Sequence, residues 1–193
     1  MKKVILIDLD HTLIDTERVK REHESILRRF GVSASVSKKA YRKVIRRGFY
    51  HPVPHMHAVI PDSLSRRRAL REYWQLFEKK EAYNFPGVVP FLKTLSKKYR
   101  LILLSWGHKD FQLKKFNQTG FGKFFETTVV MKNRRKEKDL QWFFGKYGGN
   151  VLLLDDSPVA ISVARKIGIK TVRVKKGKKD ANYYRRLLAR IMK

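Results

Sequence analysis

The apolar residues of this chain fall into two patterns that take turns along its length. Short unbroken runs, Val4-Ile5-Leu6-Ile7, Leu101-Ile102-Leu103-Leu104 and Val151-Leu152-Leu153-Leu154, predict strands buried on both faces, as inside a parallel sheet. Other segments space their apolar residues by threes and fours. Residues 17–30 carry Val19, Ile26, Leu27 and Phe30 before Gly31, and residues 38–47 carry Ala40, Tyr41, Val44 and Ile45 between Ser37, a cap, and Gly48, a stop. Pro61-Asp62-Ser63 opens a third helical stretch through Lys80, with Leu64, Leu70, Tyr73, Trp74 and Phe77 in phase.

Beyond Pro86-Gly87 the two patterns alternate strictly. A helix over residues 88–99 precedes the strand at Leu101; a helix over 108–118 ends at Gly120; Thr127-Thr128-Val129-Val130-Met131 forms another strand. A short helix with Leu140, Phe143 and Phe144 leads to the strand at Val151, then come a helix over 159–167, a strand over 169–174 and a last helix from Asp180. Such alternation predicts an α/β fold: a three-layer, Rossmann-like parallel-sheet core with right-handed crossovers. Residues 1–16 and 83–193 would form this core, and 17–82 a small α-helical cap inserted after the first strand.

Phe49-Tyr50-His51-Pro52-Val53-Pro54-His55-Met56-His57 interrupts the cap. Its two prolines predict irregular backbone. His55 and His57 could chelate a metal, but no nearby carboxylate or thiolate completes a ligand set, so a substrate-facing loop or aromatic packing of His51, His55 and His57 is preferred.

Three of the predicted buried strands end in polar side chains: Asp8 and Asp10, Ser105 followed by Trp106-Gly107, and Asp155 with Asp156. In open parallel sheets ligands bind outside the carboxyl ends of the strands. Capping accounts for one such end easily and for all three poorly. Carboxylates gathered this closely repel one another unless a cation sits between them or one keeps its proton. A hard divalent metal, with one carboxylate free as nucleophile or acid, fits the set.

Composition bounds the setting. The 193 residues include no cysteine, which excludes disulfides and thiolate metal sites and fits a reducing compartment; no apolar run could span a membrane, and the expectation is a cytoplasmic protein. Against 17 Asp and Glu stand 45 Lys and Arg, a formal charge of +28. Such a field attracts nucleic acid, phosphorylated substrates or acidic surfaces, although the excess is spread over cap, core and tail with no dedicated basic block.

The order Asp8-x-Asp10-x-Thr12, a hydrophobic strand ending in Ser105, a lysine, and a hydrophobic strand ending in Asp155-Asp156 resembles the motifs of the haloacid dehalogenase (HAD)-like hydrolase superfamily, over residues 1 to about 175. Phe85-Pro86-Gly87-Val88 through Ser105 and His108-Lys109 resembles the phosphoglycolate phosphatase-like members, and the insertion corresponds to the C1 cap of the phosphatase branch. The resemblance implies a Mg²⁺-dependent phosphatase with Asp8 as nucleophile and Asp10 as general acid. Mg²⁺ would be held by Asp8, the Asp10 backbone carbonyl and Asp156, with Asp155 acting through water. Thr12, Ser105 and Trp106 would bind substrate, Ser105 by a hydrogen bond to a phosphoryl oxygen.

The phosphate-pairing lysine is open between Lys136, Lys138 and Lys132; helix phase with Leu140 and Phe143 favours Lys136. Many members carry a further acid where this chain has Ala160. Dehalogenating members lack the acid two residues after the nucleophile, so Asp10 favours a phosphate ester. The expected substrate is a phosphorylated small molecule. The alternatives are a nucleic-acid-binding protein, or a nucleic-acid-end phosphatase, on the same scaffold.

Overall fold

The structure is a computed structural model that describes residues 2–46, 48–79, 81–132 and 136–192. Five parallel strands, β1 (Val4–Ile7), β2 (Arg100–Trp106), β3 (Thr127–Met131), β4 (Val151–Asp155) and β5 (Lys170–Arg173), lie in the order β3-β2-β1-β4-β5. The central strand β1 is wholly buried because helices cover both faces of the sheet. On the face of Ile5 and Ile7 pack α5 (Val88–Lys98), α6 (Lys109–Gln118) and α9 (Ala181–Met192), through Phe91, Leu92, Phe116 and Tyr184. On the face of Val4 and Leu6 pack α7 (Glu137–Tyr147) and α8 (Pro158–Ile167), through Leu140, Phe143, Ile161 and Ala164. This is the three-layer arrangement that the alternating pattern predicts.

Between β1 and α5 the chain makes α1 (Thr16–Arg29), α2 (Ala34–Arg46), α3 (Pro52–Val59) and α4 (Ser63–Gln75), which pack on one another. Their apolar faces join the Ile5/Ile7 side of the core in one continuous cluster that includes Ile26, Leu27, Met56 and Tyr73. Exit and return run side by side: the Asp15 amide donates to the Tyr83 carbonyl at 2.8 Å, and the Phe85 amide to the Leu13 carbonyl at 3.2 Å.

Three local expectations are corrected. Residues 52–59, read as irregular, are helix α3, with Pro52 in the first turn, where its missing N–H costs nothing, and His51 accepting from the Val53 amide as N-cap. Helix α2 begins at Ala34, so Ser37 is a fully buried interior residue whose hydroxyl donates to Glu24 at 2.8 Å, and no cap. Helix α4 stops at Gln75; Lys80, and Arg47 at the expected end of α2, lie outside the described residues.

Candidate active site

Register brings the three polar strand ends level. Ile7 pairs with Leu103 on one side and Leu154 on the other, so Asp8, Ser105 and Asp155 emerge at one edge of the sheet. The Asp8 amide still donates to the Leu154 carbonyl at 2.9 Å, which fixes this residue as firmly as the strand before it. The next turn is tied from two sides. His11 adopts a left-handed conformation (φ 58°) and its amide donates to Thr16 Oγ1 at 3.0 Å, while the buried Lys179 donates to the His11 carbonyl at 2.6 Å.

Lys136 is the centre of the deep site. Its Nζ donates to Asp8 Oδ1, Asp155 Oδ2 and the Leu104 carbonyl, each at 2.7 Å, and the residue is 3% exposed. All three donor positions of the ammonium are thereby used. Burial alone would lower its pKa, but the two carboxylates outweigh burial and raise it, so Lys136 is a fixed cation. Lys136 precedes α7 in a left-handed conformation (φ 60°) and is not within the helix, which corrects the phase argument that selected it. Lys132 and Lys138 are exposed.

Asp10, two residues beyond Asp8, has a different environment. Lys115 Nζ donates to both its oxygens, at 2.7 and 2.6 Å; Gln112 Nε2 donates at 3.0 Å and Thr16 Oγ1 at 2.8 Å. Burial pushes this carboxyl up, but Lys115 and the hydrogen bonds outweigh it and hold the pKa at about 2. Gln112 also donates to the Trp106 carbonyl at 2.6 Å, and it fits there because position 107 is glycine: a Cβ on Gly107 would lie 2.7 Å from Gln112 Nε2.

The carboxylates of Asp8, Asp155 and Asp156 each place an oxygen within 4.8 Å of the others, the sole such group of potential metal ligands among the described residues. Burial, reinforced by Asp155, drives the Asp8 carboxyl well up and the Asp156 carboxyl up, against the opposing pull of Lys136 on the first and of His11 and Lys176 on the second. Three buried carboxylates facing one buried ammonium leave negative charge that a hard divalent cation would compensate, and the all-oxygen donor set suits Mg²⁺. The Asp10 carboxylate is not in this group, since it faces Lys115. His51, His55 and His57 form no metal group among the described residues: His55 is buried in aromatic and hydrogen-bonded contacts, His51 lies tilted against His108 with ring centroids 4.5 Å apart, and His57 is exposed.

At the carboxylates a cavity of about 710 Å³ opens between the sheet edge and the four helices, lined by Asp8, Asp10 and Lys136 and by His23, Tyr50 and Tyr73 among others. Trp106 lines it and packs against Phe49, ring centroids 5.6 Å apart. Thr12 and Ser105 are each 1% exposed, and neither hydroxyl has a hydrogen-bond partner among the described residues. Both hydroxyls are buried, and the cavity wall is formed by their neighbours, Asp10 and His11 beside Thr12 and Trp106 and Gly107 beside Ser105. The residues that sequence reasoning missed are Lys115, Gln112 and Thr16 around Asp10, and Lys179 under His11; the available signal was phase, because Gln112 and Lys115 share the buried side of α6 with Phe111 and Phe116.

A sequence model of the family described as haloacid dehalogenase-like hydrolase matches residues 5–174. No curated protein matches the chain by sequence. Among solved structures, a haloacid dehalogenase-like family hydrolase from Xanthomonas campestris is 13% identical, with 99% of this chain and 91% of that chain covered and a TM-score of 0.75. A Bacillus subtilis HAD-hydrolase, YfnB, bound to magnesium, is 14% identical over 96% of this chain and 98% of that chain, with a TM-score of 0.68. An L-2-haloacid dehalogenase from Xanthobacter autotrophicus, with chloropropionic acid covalently bound, is 14% identical over 90% of this chain and 78% of that chain, with a TM-score of 0.60. Identities this low speak to the fold alone.

Proposed function

The chain belongs to the haloacid dehalogenase-like hydrolase family, and from that premise we propose that it hydrolyses a phosphate monoester, with Asp8 as nucleophile and Mg²⁺ as cofactor. The observation that carries the choice of reaction is the second carboxylate, Asp10, facing the same cavity as Asp8. A halide departs without a proton. An alkoxide needs one, and Lys115, whose Nζ donates to Asp10 Oδ2 at 2.6 Å, brings a proton to the carboxylate.

In the proposed reaction an Asp8 oxygen attacks phosphorus and the ester P–O bond breaks. The Asp10–Lys115 pair gives its proton to the departing oxygen. A water molecule then attacks the aspartyl-phosphate, Asp10 takes a proton from it, and Asp8 is released with inorganic phosphate. Lys136 stays cationic throughout, holding Asp8 in place and opposing the charge that gathers on the phosphoryl oxygens. Ser105 and Thr12 offer hydroxyl donors that have no internal claim on them. Asp8, Asp155 and Asp156 would hold Mg²⁺, in keeping with the magnesium bound by the similar B. subtilis protein. When bound, the ion supplies positive charge that offsets the carboxylates and the phosphoryl group. The four helices from 17 to 82 act as the cap that closes over the substrate.

A second reading, a phosphatase for nucleic-acid ends, is favoured by the +28 charge and by Lys20, Arg28, Lys38 and Lys176 in the cavity wall. Arg66 Nη1 donates to the Ile60 and Pro61 carbonyls, each at 3.0 Å, which ties that guanidinium to the start of its own helix. A screen of sugar phosphates, nucleotides and 5′-phosphorylated oligonucleotides with and without Mg²⁺, beside Asp8→Asn, tests both readings. Mg²⁺-dependent phosphate release that Asp8→Asn abolishes is expected. Release independent of Mg²⁺ or of Asp8 would refute the proposal.

A further inference from the structure

The cap carries a chain of buried polar groups whose proton positions can be worked out by elimination. Ser37 donates its hydroxyl hydrogen to Glu24 at 2.8 Å. His55 Nε2 lies 3.0 Å from the Ser37 carbonyl, which can only accept, so Nε2 carries a hydrogen. Burial lowers the pKa of His55, against a smaller opposing pull from Ser37 and Glu24, so the ring is neutral and its Nδ1 must accept. The Tyr50 hydroxyl, 3.3 Å away, is the donor available to that nitrogen among the described residues. Having spent its hydrogen, Tyr50 accepts from His23 Nδ1 at 2.9 Å. Burial, with His55 nearby, holds the His23 pKa at about 3, so this ring is neutral as well.

The chain therefore ends on a bare lone pair. His23 Nε2 is buried without a partner among the described residues, His23 is 6% exposed, and the residue lines the same cavity as Asp8 and Asp10. Its surroundings are uncharged rings: Tyr50, His55 and Tyr73 lie with centroids 6.2, 5.2 and 4.7 Å away. A buried acceptor left unpaired is costly, and it discriminates strongly between ligands that do and do not bring a donor.

We propose that His23 Nε2 is a specificity-determining acceptor: the alcohol portion of the substrate is an uncharged group that extends into the cap and donates an O–H or N–H hydrogen bond to it. This deepens the phosphate-ester reading and rests on it. The nitrogen is covered in the free protein, so the donor reaches it only with a shift of the side chains packed around it. The rings nearest His23 carry no charge, so an anion set directly against them would lose hydration, although Lys20, Arg28 and Lys38 also line the cavity.

Two measurements test the proposal separately from the phosphatase reading. ¹⁵N NMR of the intact, ligand-free protein reports the His23 tautomer: hydrogen on Nδ1 and a bare Nε2 is expected at neutral pH, and hydrogen on Nε2 or a charged ring would overturn the elimination. Turnover is then compared within matched esters, 4-(hydroxymethyl)benzyl phosphate against 4-methylbenzyl phosphate, and ribose 5-phosphate against 2-deoxyribose 5-phosphate. At least one hydroxylated member should exceed its partner about tenfold in kcat/KM. That preference should persist in His23→Gln, whose amide oxygen still accepts, and vanish in His23→Phe. No preference in either pair, or a preference unchanged in His23→Phe, would overturn the proposal. No turnover of any ester would instead reject the phosphatase reading while the tautomer measurement stands.

Discussion

Replacing Lys115 by methionine removes the one cation in direct contact with Asp10 among the described residues and keeps most of the side-chain volume. The native carboxyl is held at about 2, against 3.8 for a free aspartate, a difference that corresponds to about 2–3 kcal/mol of stability at neutral pH. Because the folded pKa is depressed, this contribution is fully present above about pH 4 and is lost as pH falls through about 2. In Lys115→Met burial is no longer outweighed, and Asp10 should titrate above its ordinary value. The sign of the linkage then reverses, so the variant should be destabilised by about 2–4 kcal/mol at pH 7 and by much less near pH 3. Urea unfolding at several pH values measures the first effect. Kinetics measure the second: with its proton store gone, the variant should lose about 10²-fold or more in kcat on an alkyl phosphate at pH 7–8 and far less on an activated aryl phosphate. Equal losses on both esters, or a destabilisation independent of pH, would refute the assigned role of the pair.

Three further outcomes follow from contacts in and around the site. Lys136→Met leaves Asp8 and Asp155 facing each other without their shared ammonium and should cost about 3–5 kcal/mol in chemical denaturation, with a part restored by added Mg²⁺ if the carboxylate group holds that ion. Gly107→Ala forces a Cβ against Gln112 in a backbone conformation (φ 148°) that L-residues rarely adopt; a loss of about 1–3 kcal/mol is expected, with kcat reduced on alkyl esters because Gln112 then releases Asp10. Burial lowers the Lys179 pKa from 10.5 to about 8. The unfolded chain thus binds more protons across that interval, and wild-type stability relative to Lys179→Met should rise by about 3 kcal/mol between pH 8 and 10.5.

What the sequence revealed and what it hid have physical causes. The ends of β1, β2 and β4 were legible because a four-residue apolar run in a doubly buried strand admits no other partner, and the polar residue that breaks it must sit at the edge. Helix α3 was hidden because its prolines were read as breakers, whereas in a first turn proline interrupts no hydrogen bond. Ser37 was misread as a cap because an interior serine looks the same in sequence until its partner, Glu24, is brought beside it by packing of α1 on α2. Lys115 was hidden by its surroundings: α6 also carries Lys109 and Lys114, and only the fold shows which lysine meets a carboxylate 105 positions away. The proton order of the cap lies equally beyond sequence, since it depends on contacts among α1, α2, α3 and Tyr50.

The central claim is that Asp8 carries the phosphoryl group. Rapid acid quenching of the wild-type protein during turnover of 4-nitrophenyl [³²P]phosphate with Mg²⁺, followed by peptide mapping, addresses it most directly. The account predicts hydroxylamine-labile label on the peptide that contains Asp8, formed and lost at rates compatible with turnover and absent from Asp8→Asn. Label on another residue, or turnover with no labelled peptide at any time point, would contradict it.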